Sequence, residues 1–387
     1  MNQPLPINTL IATRFSDLFL DLKQTQQNLL REVEPLLSKV EIEQSKTKRS
    51  LLRVERQAIQ EKDLNTKSEQ SFVSSINDQI NEEVEKQLAD SIKDTDYLYN
   101  KILGFDDAIV ALLDQAGLKA ATISKIEPLA CDVTWLYNDL IKMTNQAKYR
   151  RVDSKGKVVV VENIRAAISF FGIENLIMIV TSLAFKRALP QITDPYPTIK
   201  IRIWEEAMAT ALASKKLAQA AGIDPNHAFC LGMFQQLGKI VITKLYFRIF
   251  DSVQIQALKE TESARQHEEH SALLKLTPSG EFLNMLNARY AFKTSSQLIN
   301  RMEFKRVMIN NAMDELAKNT KTADASPLTG VLRQGYGYAQ YRILKSHKLI
   351  DLQQSKDFIR TLNMPKGSLE VLKTTDLRSL NLTLSSE

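Results

Sequence analysis

Apolar positions recur at three- and four-residue spacing through most of this chain, the period of one face of an α-helix rather than of a strand. Leu22, Leu29, Val33, Leu36 and Val40 form the first such stripe. The spacing predicts an amphipathic helix, kinked at Pro35, whose ring removes a backbone donor. Gln26 breaks the stripe and Glu43 ends it, before the roughly three to four heptads that mark a coiled coil. Packing within the chain is therefore the expectation, and a homodimer through these N-terminal helices is the alternative. The polar stretch from Glu43 to Ser71 reads as a linker, after which Val73, Ile76, Ile80, Val84, Leu88 and Ile92 restore a helical stripe towards Gly104.

From Gly104 to about residue 300 the punctuation is regular. Gly104, Gly117, Gly172, Gly222 and Gly238 each stand where a helix is expected to stop, since glycine accepts the left-handed conformation common there. Asp224 is a good N-cap and Pro225 suits the first helical position, so a helix is predicted from there to Gly238. At about 100° per residue, Phe229, Cys230, Met233, Phe234, Leu237, Ile240 and Val241 fall on one broad core face. Gln236 lies at its margin, and Gln235 lies farther round. The alanines at 207, 209, 211, 213, 218, 220 and 221 predict a helix that a neighbour approaches closely.

The valines of Lys157–Val161 make the one credible strand or hairpin. Pro190, Pro195 and Pro197 predict an extended loop between Leu189 and Ile199. Helical patterns resume over Met308–Leu316 and Val331–Leu349, and the last residues from Leu380 read as a frayed polar tail. The chain is thus expected to be all-α with at most one short β-hairpin. Its parts are an N-terminal helical arm with linker (1–103), a central helical domain (104–300) and a C-terminal helical subdomain (301–387).

Composition narrows the function classes. The 387 residues are 44% hydrophobic, enough for a substantial core, and 51 basic residues interleave with 45 acidic ones for a net charge of +6. No single-sign field dominates, so nucleic-acid attachment is the weaker reading. Lys148, Arg150, Arg151, Lys155 and Lys157, with Tyr149 among them, form the one basic cluster. It reads as a solvated loop, or as a contact for phosphate or an acidic partner. Cys131 and Cys230 lack metal-ligand spacing and read as buried free thiols. The start lacks the pattern of a signal peptide, and the best apolar run, Ile173–Phe185, is too short to span a bilayer. A cytoplasmic protein without a membrane partner is expected.

Motifs for common chemistry are absent: no GxxxxGK[ST], no GxGxxG and no GxSxG. His267 and His270 in HEEH are the one local pair with ligand-like spacing, and their polar surroundings favour a solvated helix face.

Several segments in one order resemble the HDOD family, bacterial signalling proteins related to HD phosphohydrolases. KIEPLACDVTWLYNDLIKMTNQAKY resembles the family's early helix pair, with Asp132 before an apolar run that ends at Asn145. NIRAAISFFGIENLIMIVTSLAFKRAL resembles its glycine-closed helix followed by a strongly apolar one. IWEEAMATALASKKLAQAAGI matches the Ala-rich helix that begins after a tryptophan, here Trp204, and DPNHAFCLGMFQQLG matches the core helix. Catalytic relatives carry a histidine where Glu206 stands and a His-Asp pair where Gln235 and Gln236 stand. The resemblance implies an HD-superfamily-like helical bundle with degenerate metal-site positions at Glu206, Gln235 and Gln236. Asn145 and Trp204 are candidate pocket or interaction residues. No catalytic residue, metal or cofactor is expected, because an uncharged amide is a poor substitute for carboxylate or imidazole donors. The implied function is a non-catalytic signal-transduction module that binds a protein partner. The alternative is a divergent metal-dependent phosphohydrolase or nucleotide-sensing domain.

Overall fold

The structure, a computed structural model, describes residues 5–31, 53–118, 120–149, 151–152, 157–380 and 382. Val33, Leu36 and Val40 of the first stripe, with Arg150 and Lys155 of the basic cluster, lie outside the described residues. The fold is all-α apart from one two-stranded pairing.

Helices α1 (Ile7–Leu20) and α2 (Leu22–Arg31) open the chain. Helix α3 (Arg53–Ser91) is 39 residues long, so the stretch read as a linker is helical from Arg53 onward. Its first half holds neither glycine nor proline, and Arg, Lys, Glu and Gln lose little rotamer freedom in a helix. Polarity alone therefore did not break it. Ile80, Val84 and Leu88 on the predicted stripe are buried. A helical turn and a π-helical segment (Leu98–Leu103) then close on Gly104, left-handed at φ 71°.

The central helices are α4 (Asp107–Ala116), α5 (Ile123–Asp132), α6 (Thr134–Thr144), α7 (Ile164–Phe171), α8 (Ile173–Ala188), α9 (Ile199–Ala221), α10 (Pro225–Phe234) and α11 (Leu237–Ser263). Between α6 and α7, strands β1 (Arg151–Val152) and β2 (Val158–Val159) pair antiparallel, Arg151 opposite Val159. Asp106, Asn163 and Asp224 cap α4, α7 and α10 through their side chains, each satisfying a backbone N–H that has no partner within its helix. The predicted close packing of the Ala-rich helix is met, since α9 lies along α10 with Ala211 directly against Gly232. Helix α8 is buried around most of its circumference. Among the described residues no single helix is long and apolar enough to cross a membrane.

One expected helix is in fact two. The run from Pro225 ends at Phe234, and α11 starts at Leu237, so Gly238 belongs to the first turn of a new helix instead of closing the old one. Its lack of a side chain serves close approach. A Cβ there would overlap the carbonyl oxygen of Ala291. The Gly238 N–H donates to Ser295 Oγ at 2.8 Å, and that hydroxyl donates to the Gln235 carbonyl at 2.7 Å. Ser295 thus satisfies polar groups on both sides of the break.

The rest of the chain comprises α12 (His267–Leu274), α13 (Gly280–Arg301), α14 (Asn310–Ala317), α15 (Pro327–Ser346), α16 (Leu352–Thr361) and α17 (Ser368–Thr374). These helices share one hydrophobic core with the arm and the central helices, to which Phe15, Leu88, Phe234 and Tyr338 all contribute. Helix α15 lies on α9 so closely that a Cβ on Gly335 would overlap Ser214. Helix α1 rests on α9, α15 and α16. Its Arg14 donates from Nη1 to the Leu349 carbonyl at 2.9 Å and to Gln354 Oε1 at 2.8 Å.

The two thiols differ, against the expectation that both are buried. Cys131 is exposed, whereas Cys230 is buried beside Thr181 Oγ1 at 3.2 Å. Burial pushes the Cys230 thiol up to about 12. Since the thiolate is the reactive form, the native protein should yield one thiol per chain to Ellman's reagent at pH 8 and two in denaturant. Rapid reaction of both in the native state would mean that α10 opens.

Candidate functional site

Glu206 is the buried acid around which the site is built. It stands in the third turn of α9, fully buried. The helix dipole does not account for it, because α9 begins at Ile199 and that effect fades within one turn. Its charge is met from another helix. Lys239, in the first turn of α11, donates from Nζ to Glu206 Oε2 at 2.6 Å, with 16% of the lysine side chain exposed and none of the glutamate. A lysine in the first turn faces the positive end of its own helix, so Lys239 depends on compensation from elsewhere. Glu206 supplies it, and the Phe19 ring of α1, 5.2 Å from Nζ, adds a cation–π contact. The phenol of Tyr336 on α15 faces the same carboxylate. Burial and the Glu206 charge together hold that phenol well above its usual ionisation range.

Gln235 and Gln236 form the break between α10 and α11 and are both 3% exposed. The Gln235 side chain turns back to the Gly232 carbonyl at 3.4 Å, a long bond. Both glutamines line a cavity of about 180 Å³ with Lys239, Asn287 and the Phe15 and Phe19 side chains of α1. Asn287 is 8% exposed, and neither end of its amide has a partner among the described residues.

This arrangement does not fit a divalent cation. Such an ion needs several anionic or imidazole donors, and the carboxylate here is already held by an ammonium. An incoming metal would have to displace Lys239 and leave a second cation beside it. Among the described residues no group of three or more His, Cys, Asp or Glu could hold a metal ion. Of the HEEH histidines, His267 is exposed and His270 Nδ1 lies 3.2 Å from Thr261 Oγ1.

The other predicted residues separate. Asn145 caps the end of α6, donates to the Val161 carbonyl at 2.8 Å and accepts from its N–H at 3.0 Å, fastening the chain after β2. Trp204 is half-buried against Phe185, with ring centroids 6.3 Å apart. Lys148 donates to the Leu380 carbonyl at 3.1 Å and lines the same large cavity as Trp204. Asp132 and Lys157 are exposed, and Arg151 lies in β1. Reading the sequence missed Lys239, Tyr336 and Asn287. A cation three residues after Gln236 was the available signal for the first of them.

None of the curated proteins compared matches the chain. Two crystal structures of Shewanella amazonensis SB2B proteins are similar to it. One, named "Putative phosphohydrolase", aligns over 71% of this chain and 97% of its own at 15% identity, with a TM-score of 0.40. The other, named "Putative metal-dependent phosphohydrolase", aligns over 73% and 100% at 13% identity, with a TM-score of 0.41. Likeness at this level says nothing of activity. The segment that contains Glu206, Gln235 and Gln236, residues 105–283, matches the HDOD domain family.

Proposed function

We propose that this chain is a non-catalytic regulatory module of bacterial signal transduction, in which a degenerate HD scaffold presents a surface to a protein partner. One observation carries the reading: the ammonium of Lys239 neutralises Glu206 from within the chain, beside two glutamines. A site that contains its own cation has lost the electrostatic reason to recruit a metal, and amides supply neither a general base nor a nucleophile.

The β hairpin supports a protein partner. Val158, Val159 and Val160 are 50%, 48% and 63% exposed, and among the described residues β2 pairs only with β1. An apolar strand with an open edge is a template for strand addition. Val158 and Val160 share one face by alternation. Capture from the native host with the full chain as bait, followed by mass spectrometry, should recover a partner that Val158→Asp/Val160→Asp releases. Unchanged capture by that variant would overturn the docking surface. Stoichiometric Mn²⁺ or Mg²⁺ in the purified protein, with phosphodiesterase turnover abolished by Gln236→Ala, would overturn the non-catalytic reading.

A further inference from the structure

We infer that a second cavity, walled by α6, α8, α9 and the segment Arg378–Leu380, binds a nucleoside phosphate. Its volume is about 530 Å³, within the range of sites that enclose small organic ligands. The floor is apolar, formed by Ile179 and Met208, both buried. Trp204 stands at its side, half-buried and so partly open to a planar ring. Within the lining lies the Ser182 hydroxyl, 3% exposed and without a hydrogen-bond partner among the described residues. A buried hydroxyl left in that state costs free energy that a ligand's polar edge can recover.

The rim is cationic. Lys142, Lys148, Lys186, Arg187 and Arg378 all line the cavity, against one carboxylate, Asp139. Asp139 faces Arg187 at 3.7 Å. Lys148 donates to a neutral carbonyl and lies over the Tyr149 ring, 5.4 Å from its centroid, neither of which carries an opposing full charge. Asp376 accepts from the Arg378 N–H and the Ser379 hydroxyl, which with the nearby charges of Arg378 and Lys148 hold its carboxyl below the usual range, yet the cations still outnumber the two acids. An aromatic wall over an apolar floor suits a nucleobase, and a cationic rim suits the phosphate it carries. This site shares no lining residue with the cavity at Gln235 and Gln236 and does not depend on the reading of that cavity.

The test is equilibrium binding to the full chain, followed by tryptophan fluorescence and calorimetry, with AMP and GMP as probes and adenosine and ribose 5-phosphate as fragments. AMP or GMP should bind, and each fragment should bind at least about tenfold more weakly, since one lacks the charge and the other the ring. The Lys186→Ala/Arg378→Ala variant alters two exposed side chains. It should lower affinity by about tenfold or more and leave the thermal midpoint in place, and rising salt should weaken the wild-type complex. Three results would each overturn the proposal: no binding of either nucleotide at about millimolar concentration and low salt, ribose 5-phosphate binding as tightly as AMP, or full affinity retained in the double variant.

Discussion

Replacing Lys239 with alanine should destabilise the chain by about 3–5 kcal/mol, the usual cost of leaving a buried charge without its partner. Glu206 has no exposed surface through which water could take over from the ammonium 2.6 Å away. Urea unfolding followed by circular dichroism measures the loss. The double variant Glu206→Gln/Lys239→Met should recover most of it, because removing both charges at similar volume is often close to neutral. A loss below about 1 kcal/mol in Lys239→Ala, the range of a surface pair, would mean that Glu206 is compensated by something else. Lys239 would then not be the cation that neutralises Glu206.

A single methyl at Gly238 should cost at least about 3 kcal/mol or prevent recovery of folded protein. The obstacle is the Ala291 carbonyl, with Ser295 N also within contact range. Both belong to the backbone of α13, so no side chain can rotate away. The hydrogen bond from Gly238 N–H to Ser295 would be lost as α11 shifted. Gly330→Ala is the matched control, for it lies in α15 and its added Cβ meets nothing within 4 Å. There the substitution should stabilise by about 0.5–1 kcal/mol, as glycine-to-alanine changes in an open helix do. Equal thermal midpoints for the two variants would contradict the close approach of α11 and α13.

Helical stripes were legible because period and burial obey local rules: Val84 and Leu88, or Phe229 and Met233, fall inside wherever the helix packs. The HDOD resemblance was legible too, from the order of its helices. Boundaries were harder to read. Thr198 makes no side-chain cap to α9, so nothing local placed Glu206 in the third turn, and Trp204 drew the helix start too far along. The break at Gln235–Gln236 is held by Ser295, some sixty residues away in sequence, which no window around the glutamines contains. Lys239 is informative only once α9 and α11 are known to cross. Its pairing with Glu206 is a tertiary fact.

Gly335 against Ser214 has a practical consequence for how this protein is cut and used. Helix α15 lies outside the matched segment 105–283 yet meets α9 at backbone distance, and Arg14 ties α1 to the chain around Leu349 and Gln354. A fragment trimmed to the family boundaries would expose apolar surface that the intact chain covers from both flanks, and such surface attracts adventitious partners. The segment recognisable by resemblance is smaller than the shared hydrophobic core it belongs to, and any bait, crystal or fusion should be drawn to the second.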